Sequence, residues 1–233
     1  MTPPFNPFVE SLMDYVECNN GNPLILHNTY GDPEEMSVEV FFREEEDLST
    51  LEKMALHACT GDILDLGAGA GALSLILQDM GKSVTAIEND SGCTLLMQAL
   101  GVKSVLKEDF WQYEGQYDTL LAMMNGLGLA GTLDTVPKFL KKCMSLLKSG
   151  GQLIFDSSDI SYLYAGKAKD AAFDYYGEVR YQYEYKDQTD DWFDWVYVDQ
   201  ETLYNICRSL NLNLEVLYTD EYQQYLGKVT RKP

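Results

Sequence analysis

Positive charge is scarce in this chain: 17 Lys and Arg stand against 37 Asp and Glu in 233 residues, a net charge of −20. A surface that acidic repels nucleic-acid phosphates and anionic lipid headgroups, so neither is an expected partner. Long hydrophobic runs are missing too. The longest uncharged stretch, Thr119–Leu133, has 15 residues interrupted by an Asn and three Gly, short of the roughly 20 apolar residues a spanning helix needs. No basic residue precedes Arg43, so neither a secretory signal nor an Arg-rich transit peptide is read at the start. Cysteines 18, 59, 93, 143 and 207 form no CxxC pair and are accompanied by only His27 and His57. That pattern disfavours a disulfide framework and a metal cluster alike, and a reducing cytoplasm is the expected setting.

What is there suits a packed domain. Hydrophobic residues make up 45% of the chain, and short dense apolar runs begin near Asp62, Ser83, Ser104, Tyr117 and Gly151, with amphipathic segments between most of them. The alternation predicts an α/β fold with a parallel sheet covered on both faces. Gly81, Gly101 and Gly150 are placed to close the intervening helices. The last of these starts near Asp134, with Val136, Phe139, Leu140 and Cys143 on one stripe and Pro137 in the first turn.

Residues 1–60 lie outside the repeating unit. Asn6–Cys18 reads as a weak helix, Asn19–Phe42 as turn-rich, and Ser49 with Glu52 as a capping box opening a helix to about Ala58. Residues 61–157 form the repeating core and 158–198 an insertion. In that insertion Gly177–Lys186 alternates strictly, Val179, Tyr181, Tyr183 and Tyr185 sharing one face, and residues 187–191 turn it into a second strand at Trp192–Val198. Residues 199–233 supply a closing helix and two strands. One domain of four such parts is expected.

At the end of the first core strand stands Asp65-Leu66-Gly67-Ala68-Gly69-Ala70-Gly71. Glycines at such a bend let backbone approach a ligand, and the following helix presents free N–H groups. The pattern also satisfies a G-x-G-x-x-G/A dinucleotide fingerprint, with Glu88 21 residues after Gly67 to take a ribose. A nicotinamide-dependent oxidoreductase is therefore one reading. Asp65 argues against it, because a carboxylate there would face the pyrophosphate in a poorly solvated crevice. S-adenosylmethionine carries an ammonium and a sulfonium instead, and an acid at 65 attracts both. Glu88 can hold both ribose hydroxyls, and Asp109, 21 residues further on, can accept from the adenine amino group.

Together these residues, with Glu108-Asp109-Phe110, Tyr117-Asp118 and Leu147-Lys148-Ser149-Gly150-Gly151, resemble the class I S-adenosylmethionine-dependent methyltransferases over about residues 61–157. The resemblance implies a Rossmann-like seven-stranded, mostly parallel sheet whose last strand is antiparallel. It implies cofactor over the C-terminal ends of strands one to four, touched by Asp65, Gly67, Ala68, Gly69, Glu88, Asn89, Asp109, Phe110 and Asn125. Strand four ends in Met124-Asn125-Gly126-Leu127-Gly128 rather than an N-P-P-Y type motif, a departure from the nucleic-acid and amide-methylating branches that leaves the small-molecule enzymes the best likeness.

Three further features stay open. Arg43 either pairs with the acids 44–47 or clamps the cofactor carboxylate. His27 is a candidate base in a segment able to cover the pocket. The aromatic hairpin is core packing, a substrate lid or an interface with a second copy. A non-catalytic cofactor-binding protein is the remaining alternative function.

Overall fold

The computed structural model describes residues 5–18, 22–164 and 175–232. In chain order the elements are α1 (Pro7–Cys18), β1 (Leu24–Asn28), β2 (Glu34–Met36), α2 (Thr50–Ala58), β3 (Asp62–Leu66), α3 (Ala72–Asp79), β4 (Ser83–Glu88), α4 (Ser91–Leu100), β5 (Val105–Lys107), β6 (Tyr117–Ala122), α5 (Val136–Ser145), β7 (Leu147–Ser158), β8 (Glu178–Tyr185), β9 (Gln188–Thr189), β10 (Phe193–Val196), α6 (Gln200–Ser209), β11 (Leu212–Thr219) and β12 (Gln224–Arg231). Part of the inserted segment, residues 165–174, and residues 19–21 of the turn-rich stretch lie outside the described residues.

The dense apolar runs become a seven-stranded sheet in the order β11-β12-β7-β6-β3-β4-β5. The five strands from β3 to β7 pair in parallel, and β12 runs antiparallel to both β7 and β11. Both faces are covered. Leu64, Leu120, Leu153 and Phe155 meet Phe139 and Leu140 of α5 and Leu203 of α6, while Ile63, Leu121 and Ile154 meet Leu51 and Ala55 of α2 and Leu77 of α3. The capping box of α2 forms as expected, Ser49 and Glu52 exchanging backbone and side-chain bonds of 2.9 and 3.2 Å.

Gly150 does not close a helix. α5 ends at Ser145, and Gly150 lies at φ 78° inside β7, where the register against β6 jumps from Leu147 to Gln152. The strand thus begins four residues before Gly151, with a bulge where the sequence suggests a start.

The stretch expected to be all turns holds two strands. β1 and β2 pair antiparallel, and β1 also pairs with β8, Leu26 opposite Tyr183, giving a second sheet in the order β10-β8-β1-β2 with β9 paired to β8. The partner that makes β1 a strand lies about 155 residues away, so nothing local announces it. The hairpin turn is also tighter than 187–191: Lys186 at φ 54° reverses the chain and β9 pairs at once with β8. The inward face of this sheet roofs the C-terminal edge of the large one. Tyr183 and Tyr185 pack with Val9 and Leu12 of α1 and Leu96 of α4, and Val179 and Tyr181 pack with Ile160, just past the end of β7.

The roof docks by a close approach at Gly128, where an added Cβ would lie 2.0 Å from the Trp195 ring. Gly128→Ala is therefore expected to overpack the junction and cost about 1 to 3 kcal/mol. Thermal melting checks this, with a fall of roughly 2 to 4 °C per kcal/mol for a chain this size, and Trp195→Leu in the same background should recover part of the loss.

Candidate functional site

The site grows from the turn after β3. Leu66 is in register with Ile87 of β4, and Glu88 with Lys107 of β5. Adjacent strands lie about 4.8 Å apart, so Asp65, Glu88 and Asp109 step across one edge of the sheet. Gly67 takes φ 64° and an added Cβ would sit 3.2 Å from Leu129, which keeps the turn bare. A cleft opens above it. Asp65, Gly67, Ala68 and Ala70 form the floor, Val40, Phe41 and Arg43 one wall, and Met123 and Met124 another.

Asp65 is 3% exposed, and among the described residues the one side-chain partner of its carboxylate is Ser74 of α3, whose Oγ donates to Oδ2 at 2.8 Å. Burial pushes the carboxyl up to about 7; the Ser74 bond pulls against that and the charge of Glu88 adds to it. Glu88 is braced by backbone N–H groups of Gly69 (3.1 Å), Asn89 (2.8 Å) and Asp90 (3.3 Å). Burial raises its pKa and those donors oppose the rise. The glycine turn and the acid of the next strand are thus one bonded unit.

The other expected residues divide. Arg43 reaches the cleft wall but pairs with none of residues 44–47: it grips Glu52 with two bonds of 2.6 and 3.2 Å. The capping box fixes the Glu52 carboxylate where the guanidinium can take it. Asp109 is exposed, and its Oδ1 accepts the Trp111 N–H at 2.9 Å. Phe110 packs edge-on to Trp111 and tilted against Phe139, 5.4 Å from each. His27 stands on the outward face of β1, bound to Glu184 at 2.6 Å, away from the cleft.

Asn125 is 8% exposed and follows Met124, both in the left-handed region at φ 58° and 61°. The buried carboxylate of Asp156 holds this turn, accepting N–H from Asn125 at 2.9 Å and Gly126 at 3.2 Å. Asp156 is thus a brace for the turn. Sequence reasoning missed Ser74, the partner of Asp65, and the cleft-wall residues Val40 and Phe41. For Ser74, a hydroxyl nine residues after a buried acid, in the third position of the next helix, is a usable signal.

Comparison with known proteins now fits the geometry. No protein-family model matches the chain. A crystal structure of an S-adenosylmethionine-dependent methyltransferase from Bacteroides fragilis, in complex with S-adenosyl-L-homocysteine, is 33% identical over 97% of this chain and 94% of that one, with a TM-score of 0.90. The chain belongs to the S-adenosylmethionine-dependent methyltransferases. Its cofactor is S-adenosyl-L-methionine. A ribosomal protein L11 methyltransferase from Thermosipho melanesiensis is 30% identical over 96 residues, 38% of this chain and 37% of its own length, so only about a third of that curated relative is spanned. A sugar N-methyltransferase from Streptoalloteichus shares the fold, with a TM-score of 0.54 at 13% identity over 88% of this chain and 96% of that one.

The residues of this methyltransferase suit a cationic ligand. Arg43 is committed to Glu52, and the acid at the cleft floor is paired with a hydroxyl rather than a cation. Because burial raises Asp65 above its unfolded value, the folded free protein binds the extra proton, and that favourable contribution is lost as pH rises from about 4 through about 7. A carboxyl-carbon NMR titration should place its midpoint near 7 and move it higher in Ser74→Ala; the fall in stability over that window should vanish in Asp65→Asn.

Proposed function

We propose that this methyltransferase moves the methyl group of S-adenosyl-L-methionine directly and in line to a small-molecule acceptor. The observation that carries the reading is the roof. The second sheet turns a tyrosine face toward the C-terminal strand ends, Tyr183 and Tyr185 packing with Ala70 of the glycine turn and Tyr181 with Ile160, an aromatic cover suited to a small ligand. The sugar N-methyltransferase named above, built on the same fold, supports this choice of acceptor class.

In this reading residues 61–157 hold the cofactor, while 1–60 and 158–198 build the acceptor side. Asp65 meets the ammonium, Glu88 the ribose hydroxyls, and the bare backbone of Gly67, Ala68 and Gly69 lets the ligand lie close. Asn89, Asp109 and Phe110 border the adenine, and Asn125 faces the transferring methyl. Arg43, held by Glu52 at the cleft wall, would meet the carboxylate end. Bound S-adenosylmethionine supplies an activated methyl on sulfur, so the protein's work is to hold the acceptor atom in line at near-attack distance and keep water out. No catalytic triad is needed.

Calorimetric titration tests the cofactor half. S-adenosylmethionine and S-adenosylhomocysteine should bind and NAD should not. Asp65→Ala should abolish binding, and Glu88→Ala should weaken it by about 1 to 3 kcal/mol. Affinity should also fall as pH drops below about 7, where Asp65 takes up its proton. A metabolite extract passed through a small-pore filter tests the acceptor half. Release of S-adenosylhomocysteine with the filtrate supports a small acceptor, and release only with the retained macromolecules points to a protein or nucleic-acid acceptor instead.

A further inference from the structure

The tyrosine face carries a connected line of hydroxyls. Tyr30 Oη lies 3.4 Å from Tyr181 Oη, which lies 2.9 Å from Tyr197 Oη, and the rings of Tyr30 and Tyr181 meet edge to face. Glu34 closes one end. It pairs in β2 opposite Leu26, which puts it on this same inward face, and its charge acts on Tyr30 and Tyr197. At the other end Tyr197 follows Val196, whose carbonyl accepts the Asn125 Nδ2–H at 3.2 Å. That bond fixes which way the amide is turned. Asn125 Oδ1 is left buried with no hydrogen-bond partner among the described residues, and a buried acceptor of this kind calls for a donor.

We infer that the acceptor is a small amine, arriving as its ammonium at the tyrosine face between Glu34 and Asn125. This rests on the methyltransferase reading above and adds the chemistry of the molecule that is methylated. Tyrosine rings attract a cation through their faces, Glu34 supplies the opposite charge, and Asn125 Oδ1 accepts one N–H. An alcohol brings a single donor and no charge. The net charge of −20 favours cations in the encounter as well.

The proton count follows. An ammonium has no lone pair, so it first gives one proton to the carboxylate of Glu34, which is exposed and returns it to water. The freed pair on nitrogen then forms the new N–C bond while the methyl C–S bond breaks and its electron pair stays on sulfur. The positive charge that began on sulfur ends on the methylated ammonium.

The test uses the whole protein loaded with S-adenosylhomocysteine and two probes of one shape, cyclohexylammonium and cyclohexanol, titrated calorimetrically. The ammonium should bind at least tenfold more tightly. In Glu34→Gln, checked for unchanged melting temperature, the preference should shrink to about twofold or less while S-adenosylhomocysteine still binds. Equal binding of the two probes, binding of neither, or a preference that survives Glu34→Gln would overturn the amine assignment and leave the methyltransferase reading standing. Failure of S-adenosylhomocysteine to bind the parent would strike that reading itself, and this inference with it.

Discussion

The Asp156 carboxylate fixes the turn through which the large sheet meets the roof. It is 1% exposed, sits near the end of β7, and accepts N–H from Asn125, Gly126 and the Gln224 side chain of β12 at 2.9, 3.2 and 2.8 Å. Those bonds hold Met124 and Asn125 in a left-handed conformation that costs roughly 1 to 2 kcal/mol per residue and persists only where the surroundings fix it. With the turn held, Asn125 Nδ2 reaches the roof at Val196. Two residues on, Val198 donates its N–H to Ser157 at 2.9 Å and accepts from the Tyr225 hydroxyl at 2.7 Å. One buried acid thus sets where β6 ends, where the cleft wall stands and where the roof lands.

The scarcity of cations has a structural counterpart. Lys148 bridges Asp62 and Asp118 at the opposite end of the core strands, Lys186 binds Glu10 and Asp14, and Arg43 binds Glu52. Among the described residues no ion pair reaches Asp65, Glu88 or Asp109. Their neutralisation comes from hydroxyl and backbone donors, which stabilise a carboxylate without cancelling its charge. The strand-end edge therefore carries acids that no cation among the described residues offsets, and an arriving cation would favour the charged form of the buried Asp65.

The donor side was legible because its signals are local. A parallel strand buried on both faces must be a short apolar run, the turn after it must be glycine, and an acid must follow each of the next strand ends; Asp65, Gly67 and Glu88 obey these rules within 24 residues of sequence. The second sheet obeys none of them. β1 holds five residues and β2 three, and both acquire strand character only by pairing, β1 with a strand of the insertion. The alternative that paired Arg43 with residues 44–47 failed for a related reason. Four acids beside it in sequence were nearer than Glu52, but the capping box had already placed the Glu52 carboxylate, and fixed geometry outweighs proximity along the chain.

The same contrast separates what the site does to its two substrates. The turn proposed to hold the donor is local: Gly67 and Ala68 N–H bond Ile87 and Gly69 N–H bonds Glu88, so strand, turn and the next strand brace one another. The tyrosine face proposed for the acceptor draws instead on Tyr30 and Glu34 of the first hairpin, Asn125 of the strained turn, and Tyr181 and Tyr197 of the insertion, parts of the chain up to 167 positions apart. Each can change without disturbing the core sheet, since none lies within its parallel strands. The core sheet and the roof are thus separable in origin: the first is built by local parallel strands, the second by strands that meet only across the fold.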